Sequence, residues 1–233
     1  NALNENAVKG IFEAKGRPAD NPLIVHVSNV DEIPVLVSSF PEAAKKLFEA
    51  FSPGPLTVVM EKSEIVPEIV SGGLSTVAVR IPSHPVARAI ISASGLPLAA
   101  PSANISGRPS PTRISHLKEM MGRVDLIVDS GPCDVGLEST VVSVCKGEPK
   151  LLRPGFISLE QLKRILPEIT VDKAVKGSVV ETEKVASPGM KYRHYAPSCE
   201  MYLAAGEDSS AKIERQAADF VARGQKPVII CFE

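Results

Sequence analysis

Apolar residues in the first 166 positions follow two spacings, which predict helices and strands in turn. Val8, Ile11 and Phe12 fall on one face of a helix that Asn4 can cap and Gly16 can end. The short apolar run at 23–27 predicts a buried strand instead. The same patterns predict helices over 41–51, 84–94, 112–121 and 158–165, and strands over 56–60, 76–81, 96–100, 124–128, 140–144 and 150–152. Strands alternating with helices indicate an α/β fold.

A change of composition predicts the domain organisation. Between Pro167 and Ala196 the apolar periodicity fades, and charged, Gly, Ser and Pro residues accumulate. We therefore expect a first domain over 1–166, a linker over 167–198 and the start of a second unit over 199–233. In that unit an Ala-rich helix over 209–223 lies between apolar runs at 201–204 and 227–232. The last run needs cover on both faces and nothing follows it, so we expect the chain to be part of a longer protein.

Composition narrows the classes of function. The chain has 233 residues, 44% hydrophobic and 23% charged, which is ordinary for a soluble globular protein. No apolar run approaches the roughly 20 residues that cross a bilayer, and no signal peptide is visible, so we expect a cytoplasmic location without membrane contact. A net charge of −1 argues against bulk attraction to nucleic acid, and Trp is absent.

Cysteine and histidine spacing gives no metal site. Cys133, Cys145, Cys199 and Cys231 form no C-x-x-C pair, and we expect them to be reduced and mostly buried thiols. The four His residues are equally scattered, so a zinc site would need distant segments. We predict no protein-bound metal cluster.

A cationic turn before the first strand is the leading candidate site. Lys15 and Arg17 lie two apart on a Gly- and Pro-containing turn, where both can reach one phosphate group. The turn continues through Asn21 to His26, at the strand end. A solvated basic turn and a buried core histidine are the alternatives, and the placement beside a strand end favours binding.

Polar residues follow other predicted strands as well. Ser102 and Asn104 offer neutral donors and acceptors on one side of an extended segment, unless they only cap a turn. Arg80 and Arg153 each end an apolar strand, where they either bind an anion or form salt bridges. The chain has no G-x-x-x-x-G-K-[ST], G-x-G-x-x-G, G-x-S-x-G or H-E-x-x-H motif. The site therefore resembles one that works by positioning and charge stabilisation, as in phosphoryl and nucleotidyl transfer.

These motifs, in this order, resemble the YrdC-like threonylcarbamoyl-AMP synthases. The resemblance covers roughly 1–158 and includes the segments 136–140 and 152–155, and the stretch 187–197 is similar to the linker of the longer, two-domain members. It implies a YrdC-like twisted mixed sheet flanked by helices, followed by the start of a smaller Rossmann-like α/β domain. One departure is that the family's leading strand, with its T-x-T-x-Y-G-L segment, would precede Asn1.

The resemblance implies formation of L-threonylcarbamoyladenylate and pyrophosphate from L-threonine, bicarbonate and ATP, with Mg²⁺ bridging phosphate oxygens. The product would serve modification of adenosine 37 of tRNA through downstream tRNA threonylcarbamoyl transferase proteins. By motif, the catalytic set would be Lys15, Arg17, Ser102 and Asn104, and ATP would be held by Arg17, Asn21, Thr76, Ser102, Asn104, Ser110 and Arg153. Threonine would be held by His26, Arg80, Ser139 and the Ala100 backbone, and the linker residues Tyr192, Arg193, His194 and Tyr195 would close over the site.

Two other functions stay open at this point. One is a module that binds tRNA or double-stranded RNA without turnover, because of the cationic turn and the arginines near it. The other is a carbamoyl-transfer YrdC-like domain of the kind found in hydrogenase maturation proteins. The stretch 187–197 argues against the second alternative.

Overall fold

The computed structural model describes residues 1–176 and 199–230. Six α-helices are found there: α1 (Glu5–Lys15), α2 (Glu42–Phe51), α3 (Glu68–Ser71), α4 (Pro85–Ser94), α5 (Leu159–Ile165) and α6 (Ser209–Ala222). Most begin and end where the sequence predicts. The Asn4 side chain accepts from Ala7 N–H at 3.0 Å, and a reciprocal capping box between Ser158 and Gln161 opens α5. No described helix combines the length and apolar character needed to span a membrane.

Within residues 1–176, seven strands form one mixed sheet in the order β4-β1-β3-β2-β5-β6-β7. They are β1 (Ile24–His26), β2 (Leu56–Glu61), β3 (Thr76–Arg80), β4 (Leu98–Ala99), β5 (Thr140–Ser143), β6 (Lys150–Arg153) and β7 (Thr170–Val171). The pairs β1–β3, β2–β5 and β6–β7 are parallel, and the pairs β1–β4, β2–β3 and β5–β6 are antiparallel. The expected mixed sheet with flanking helices is thus confirmed. β7 falls within the stretch predicted as a linker.

The two faces of the sheet differ in what covers them. Val25 and Val79 point into the main core, which also contains buried residues of α1, α2 and α5. Their neighbours Ile24 and Ala78 belong to a small apolar cluster on the other face. Successive side chains of a strand point to opposite faces, so His26 and Arg80 follow Ile24 and Ala78 onto that second face.

Two predicted elements of the first domain are wrong. Residues 112–121 form two short 3₁₀ turns, Ile114–His116 and Lys118–Met120, in place of one helix. Residues 124–128 form no strand among those described, and Leu126 is 78% exposed. Met120 is buried, but neither segment contributes a residue to the two apolar clusters of the sheet, so little packing stabilises the local pattern.

The residues from 196 onward form a second compact unit. Helix α6 confirms the predicted helix, and Tyr202 packs on Phe220 with ring centroids 5.3 Å apart. The strands predicted over 201–204 and 227–232 are absent from the described part of this unit, which contains no partner strand to hydrogen-bond them. The cysteine prediction is also wrong in part, because Cys133 and Cys199 are exposed and Cys145 is half-buried. Cys231 lies outside the described residues.

Candidate functional site

A cavity of about 480 Å³ lies on the second face of the sheet. Its floor includes Ile24, His26 and Arg80, and its walls come from the turn before β1 and from the long segment between β4 and β5. That segment is mostly irregular in the structure, so hydrogen bonds to neighbouring elements determine where its polar groups lie.

Lys15 is the last residue of α1, and Gly16 adopts the left-handed conformation with φ 58° that turns the chain away from the helix. The Lys15 side chain is buried, with 4% of the residue exposed. Its ammonium donates hydrogen bonds to the backbone carbonyls of Ser102 and Asn104. Burial, and then the nearby charge of Arg17, lower the pKa of Lys15 to about 8.

The turn between α1 and β1 is ordered from both sides. Arg17 Nη2 donates to the carbonyls of Pro22 at 2.9 Å and Asn21 at 3.3 Å. On the outer side Gly72, with φ 62°, approaches so closely that a Cβ there would lie 3.1 Å from Asp20 O. Asn21 itself is 2% exposed, and its Oδ1 has no hydrogen-bond partner among the described residues. The turn therefore presents a fixed guanidinium and a buried amide at the cavity.

His26 is a neutral buried side chain. In the sheet, His26 of β1 lies in register with Arg80 of β3 and with Leu98 of β4. Its Nδ1 lies 3.2 Å from Ile24 O. Burial, and then the positive charge of Arg80, lower the pKa of His26 to about 4, although carbonyl contacts oppose the shift. The ring therefore adds no positive charge to this part of the cavity at neutral pH.

Two arginines from strand ends complete the basic lining. Arg80 Nε donates to Gly54 O at 3.0 Å, and Arg153 Nη2 donates to Ser139 O at 2.9 Å and to Ser139 Oγ at 3.1 Å. Burial, and then the charge of Arg153, lower the pKa of Arg80. The positive charges of Arg80 and Arg153 therefore lie close enough at the cavity to interact.

Ser139 is held at the start of β5 by buried contacts. Its Oγ lies 2.7 Å from Thr57 Oγ1, and Gly155 lies so near that a Cβ there would be 2.5 Å from both Glu138 O and Thr140 N. Sequence reasoning missed Thr57 and Glu138. The second of these accepts from Ser110 Oγ at 2.7 Å. The one signal in the sequence for the close contact between the segments at 138–140 and at 155 is that residue 155 is a glycine.

The segment after β4 carries the neutral polar groups. Ala100 N–H donates to Ile24 O at 3.2 Å, which ties the start of the segment to β1. Ser102 Oγ donates to Asn104 Oδ1, while Asn104 Nδ2 donates to Ile105 O at 2.9 Å and Arg108 O at 2.8 Å. The two side chains thus form one hydrogen-bonded unit at the cavity wall.

The structure brings most of the predicted site residues to this one cavity: Lys15, Arg17, Asn21, His26, Arg80, Ala100, Ser102, Asn104, Ser110, Ser139 and Arg153. It does not bring Thr76 there. Thr76 begins β3 and Arg80 ends it, so the two Cα atoms are about 13 Å apart along an extended strand. The linker residues Tyr192, Arg193, His194 and Tyr195 lie outside the described residues.

Comparisons with known proteins agree with this architecture. Residues 1–155 match the family model of the Sua5, YciO and YrdC proteins, described as telomere recombination, and residues 157–233 match a model described as the C-terminal domain of threonylcarbamoyl-AMP synthase. The threonylcarbamoyl-AMP synthase of Pyrococcus abyssi is 50% identical over 233 residues, which are 99% of this chain and 68% of that protein. The Bacillus subtilis protein of the same name is 46% identical, over 100% of this chain and 66% of its own length.

Solved structures give the same picture. The crystal structure of P. abyssi Sua5 complexed with L-threonine superimposes with a TM-score of 0.92 at 48% identity, covering 100% of this chain and 70% of that one. Escherichia coli YciO shares the fold, with a TM-score of 0.62 at 21% identity over 70% of this chain and 79% of its own. The present chain spans about two thirds of the length of its two-domain relatives.

Proposed function

Since this chain belongs to the Sua5, YciO and YrdC family, we propose that it is a threonylcarbamoyl-AMP synthase. It forms L-threonylcarbamoyladenylate and pyrophosphate from L-threonine, bicarbonate and ATP. Relatives between 43% and 50% identical bear that name. The observation that carries the proposal is that one cavity joins two pairs of basic side chains, Lys15 with Arg17 and Arg80 with Arg153.

The basic side chains of the cavity suit two charged substrates. Arg17 and Lys15 come from the turn before β1, and Arg80 and Arg153 end β3 and β6. We assign the turn to the triphosphate and Arg80 to the threonine carboxylate, because a guanidinium binds either group in a bidentate manner. Because His26 is neutral, it adds no positive charge beside the bound threonine.

The reaction then needs positioning and charge stabilisation. The amine of threonine combines with bicarbonate to give a carbamate, with loss of water. A carbamate oxygen forms a bond to the α-phosphorus of ATP while the bond to the β-phosphate oxygen breaks, and pyrophosphate leaves. Arg17 of the turn stabilises charge on the departing oxygens.

A magnesium ion fits this site only through the nucleotide. Among residues 1–176 and 199–230, no three His, Cys, Asp or Glu side chains are grouped to hold a metal. Asp134 and Glu138 are acidic side chains on the cavity lining. Because they do not form a three-ligand group, Mg²⁺ would be bound mainly by phosphate oxygens and would neutralise phosphate charge.

We further propose a cytoplasmic reaction whose product passes to tRNA threonylcarbamoyl transferase proteins.

Pyrophosphate release by the purified chain tests the proposal. We expect release that requires ATP, threonine and bicarbonate together. Salt-dependent binding of tRNA without any pyrophosphate release would instead identify an RNA-binding module. Release that depends on carbamoyl phosphate in place of threonine would indicate a carbamoyl-transfer domain.

Two variants test the assignment of substrates. Arg17→Ala should weaken ATP binding about tenfold or more and leave threonine binding unchanged, as expected for one lost hydrogen bond to a charged group. Arg80→Ala should do the reverse. The exposed Arg123→Ala serves as the control for loss of a positive charge. Equal losses for ATP and threonine in both variants, measured by calorimetry, would contradict the assignment.

A further inference from the structure

We infer that Lys15 is a positioning residue that holds the segment 102–106 against the end of α1 and so shapes the nucleoside part of the site. The inference rests on the proposed function and refines it. The resemblance places Lys15 at the phosphates, whereas the structure gives its ammonium a different set of partners.

The contacts of Lys15 use its side chain and its main chain together. Nζ donates to Ser102 O and Asn104 O, and it lies 3.4 Å from Asn104 Oδ1. The Lys15 carbonyl accepts from Ser106 N–H at 3.0 Å. One residue at the helix end therefore contacts the segment at three of its residues.

The ammonium group has three N–H donors. The three oxygens from Ser102 and Asn104 account for all of them, so this arrangement leaves no Lys15 donor for a phosphate. The side chain is also buried under the segment that it binds, with 4% of the residue exposed. Arg17, beside it on the same turn, is the basic group that we expect to touch phosphate directly.

The held segment has little other support. No helix or strand includes residues 100–113 of the described chain, and Ser102 and Ser106 are exposed. Asn104 orders the segment internally through Ile105 O and Arg108 O. Lys15 then connects this ordered unit to α1, which packs on the main core. Removing the ammonium leaves the Ser106–Lys15 backbone hydrogen bond in place, so it should loosen the unit at Ser102 and Asn104 without changing the turn that carries Arg17.

The test compares Lys15→Met with the wild type. Methionine keeps most of the buried stem and removes the donors, and Lys9→Met changes an exposed lysine of the same helix as the control. Hydrogen exchange of residues 102–106 is measured without ligand, and binding of adenosine and of inorganic pyrophosphate is measured by calorimetry. We expect faster exchange, adenosine affinity reduced about tenfold, and pyrophosphate affinity within about twofold of the wild type.

A second variant provides a rescue. Lys15→Gln lacks the charge but has two amide N–H donors, so it should recover part of the adenosine affinity if Lys15 acts on backbone carbonyls. If Lys15→Met does not fold, hydrogen exchange and ligand binding are compared between Lys15→Gln and the wild type instead. Weaker pyrophosphate binding with unchanged adenosine binding would overturn the inference, and so would unchanged exchange over 102–106. A wild type without pyrophosphate release would refute the proposed function, while the exchange comparison would still decide the role of Lys15.

Discussion

A methyl group on residue 155 should push apart two chain segments that meet at the site. The Cβ of Gly155→Ala would lie 2.5 Å from Glu138 O and Thr140 N and 2.8 Å from Ser139 C. All three contacts are to backbone, which cannot rotate away as a side chain can, so either the start of β5 or the end of β6 must move. Overpacking of this kind costs about 1–3 kcal/mol.

The functional effect should exceed the effect on stability. Arg153 donates to Ser139 at 2.9 Å, and a shift of several tenths of an ångström would lengthen this contact at the cavity. We expect Gly155→Ala to lower Tm by about 3–10 °C and to reduce pyrophosphate release. Thermal unfolding and the release assay provide the two measurements.

Gly10→Ala is the matched control. Gly10 is exposed in α1, and nothing lies within 4 Å of the added Cβ. Alanine in a helix is more favourable than glycine by about 0.5–1 kcal/mol, so this variant should be more stable than the wild type. A Gly155→Ala protein within about 0.5 kcal/mol of the wild type, with normal release, would refute the close-approach argument.

Two further substitutions test buried groups beside the cavity. The pKa of His26 is lowered to about 4 in the folded chain. As the pH falls, the unfolded chain therefore binds a proton on this residue before the folded chain does. The free energy of unfolding of the wild type should drop by about 2 kcal/mol between pH 7 and pH 5 from this group. Urea unfolding of His26→Phe should show a smaller drop, and an identical pH dependence in both proteins would argue against the neutral buried ring. Thr140 Oγ1 donates to Ile157 O at 2.9 Å and accepts from Ile157 N at 3.0 Å, so Thr140→Val should cost about 2–4 kcal/mol in urea unfolding. Thr76→Val, at a half-buried position outside the cavity, is the control, and equal losses in both variants would count against that hydrogen-bonded pair.

Elements with strong end signals were predictable from the sequence. Helix α4 has Pro85 at its first turn and Gly95 as a left-handed cap with φ 62°, and α1 has Asn4 and Gly16 in the equivalent roles. These signals act within a few residues of the helix end, so they do not depend on the tertiary contacts of the rest of the chain.

Elements that depend on distant partners were not predictable in the same way. Residues 112–121 have helical spacing and a Gly stop at 122, yet they form 3₁₀ turns. Val124 and Val128 have strand propensity, but both are exposed. Propensity is a weak preference of under about 1 kcal/mol per residue, and packing decides the outcome.

The candidate site shows the same division. Arg80 and Arg153 could be expected at a sheet edge, because each follows an apolar run. Their anchors, Gly54 O and Ser139 O, depend on how β2, β3, β5 and β6 pair. Strand order in a mixed sheet is not encoded locally, so the sequence predicts which groups take part more readily than which atoms they touch.

The two faces of β1 and β3 place adjacent residues under different constraints. Val25 and Val79 can change only within the volume that the main core allows. Ile24 lines the cavity on the other face, and Ala78 is buried in the small apolar cluster there. A substitution at Ile24 should therefore change how a ligand fits the cavity, at a smaller cost in stability than one at Val25 or Val79. Insertion or deletion of one residue in either strand would exchange the two faces, placing His26 or Arg80 in the core and losing fold and chemistry in one step.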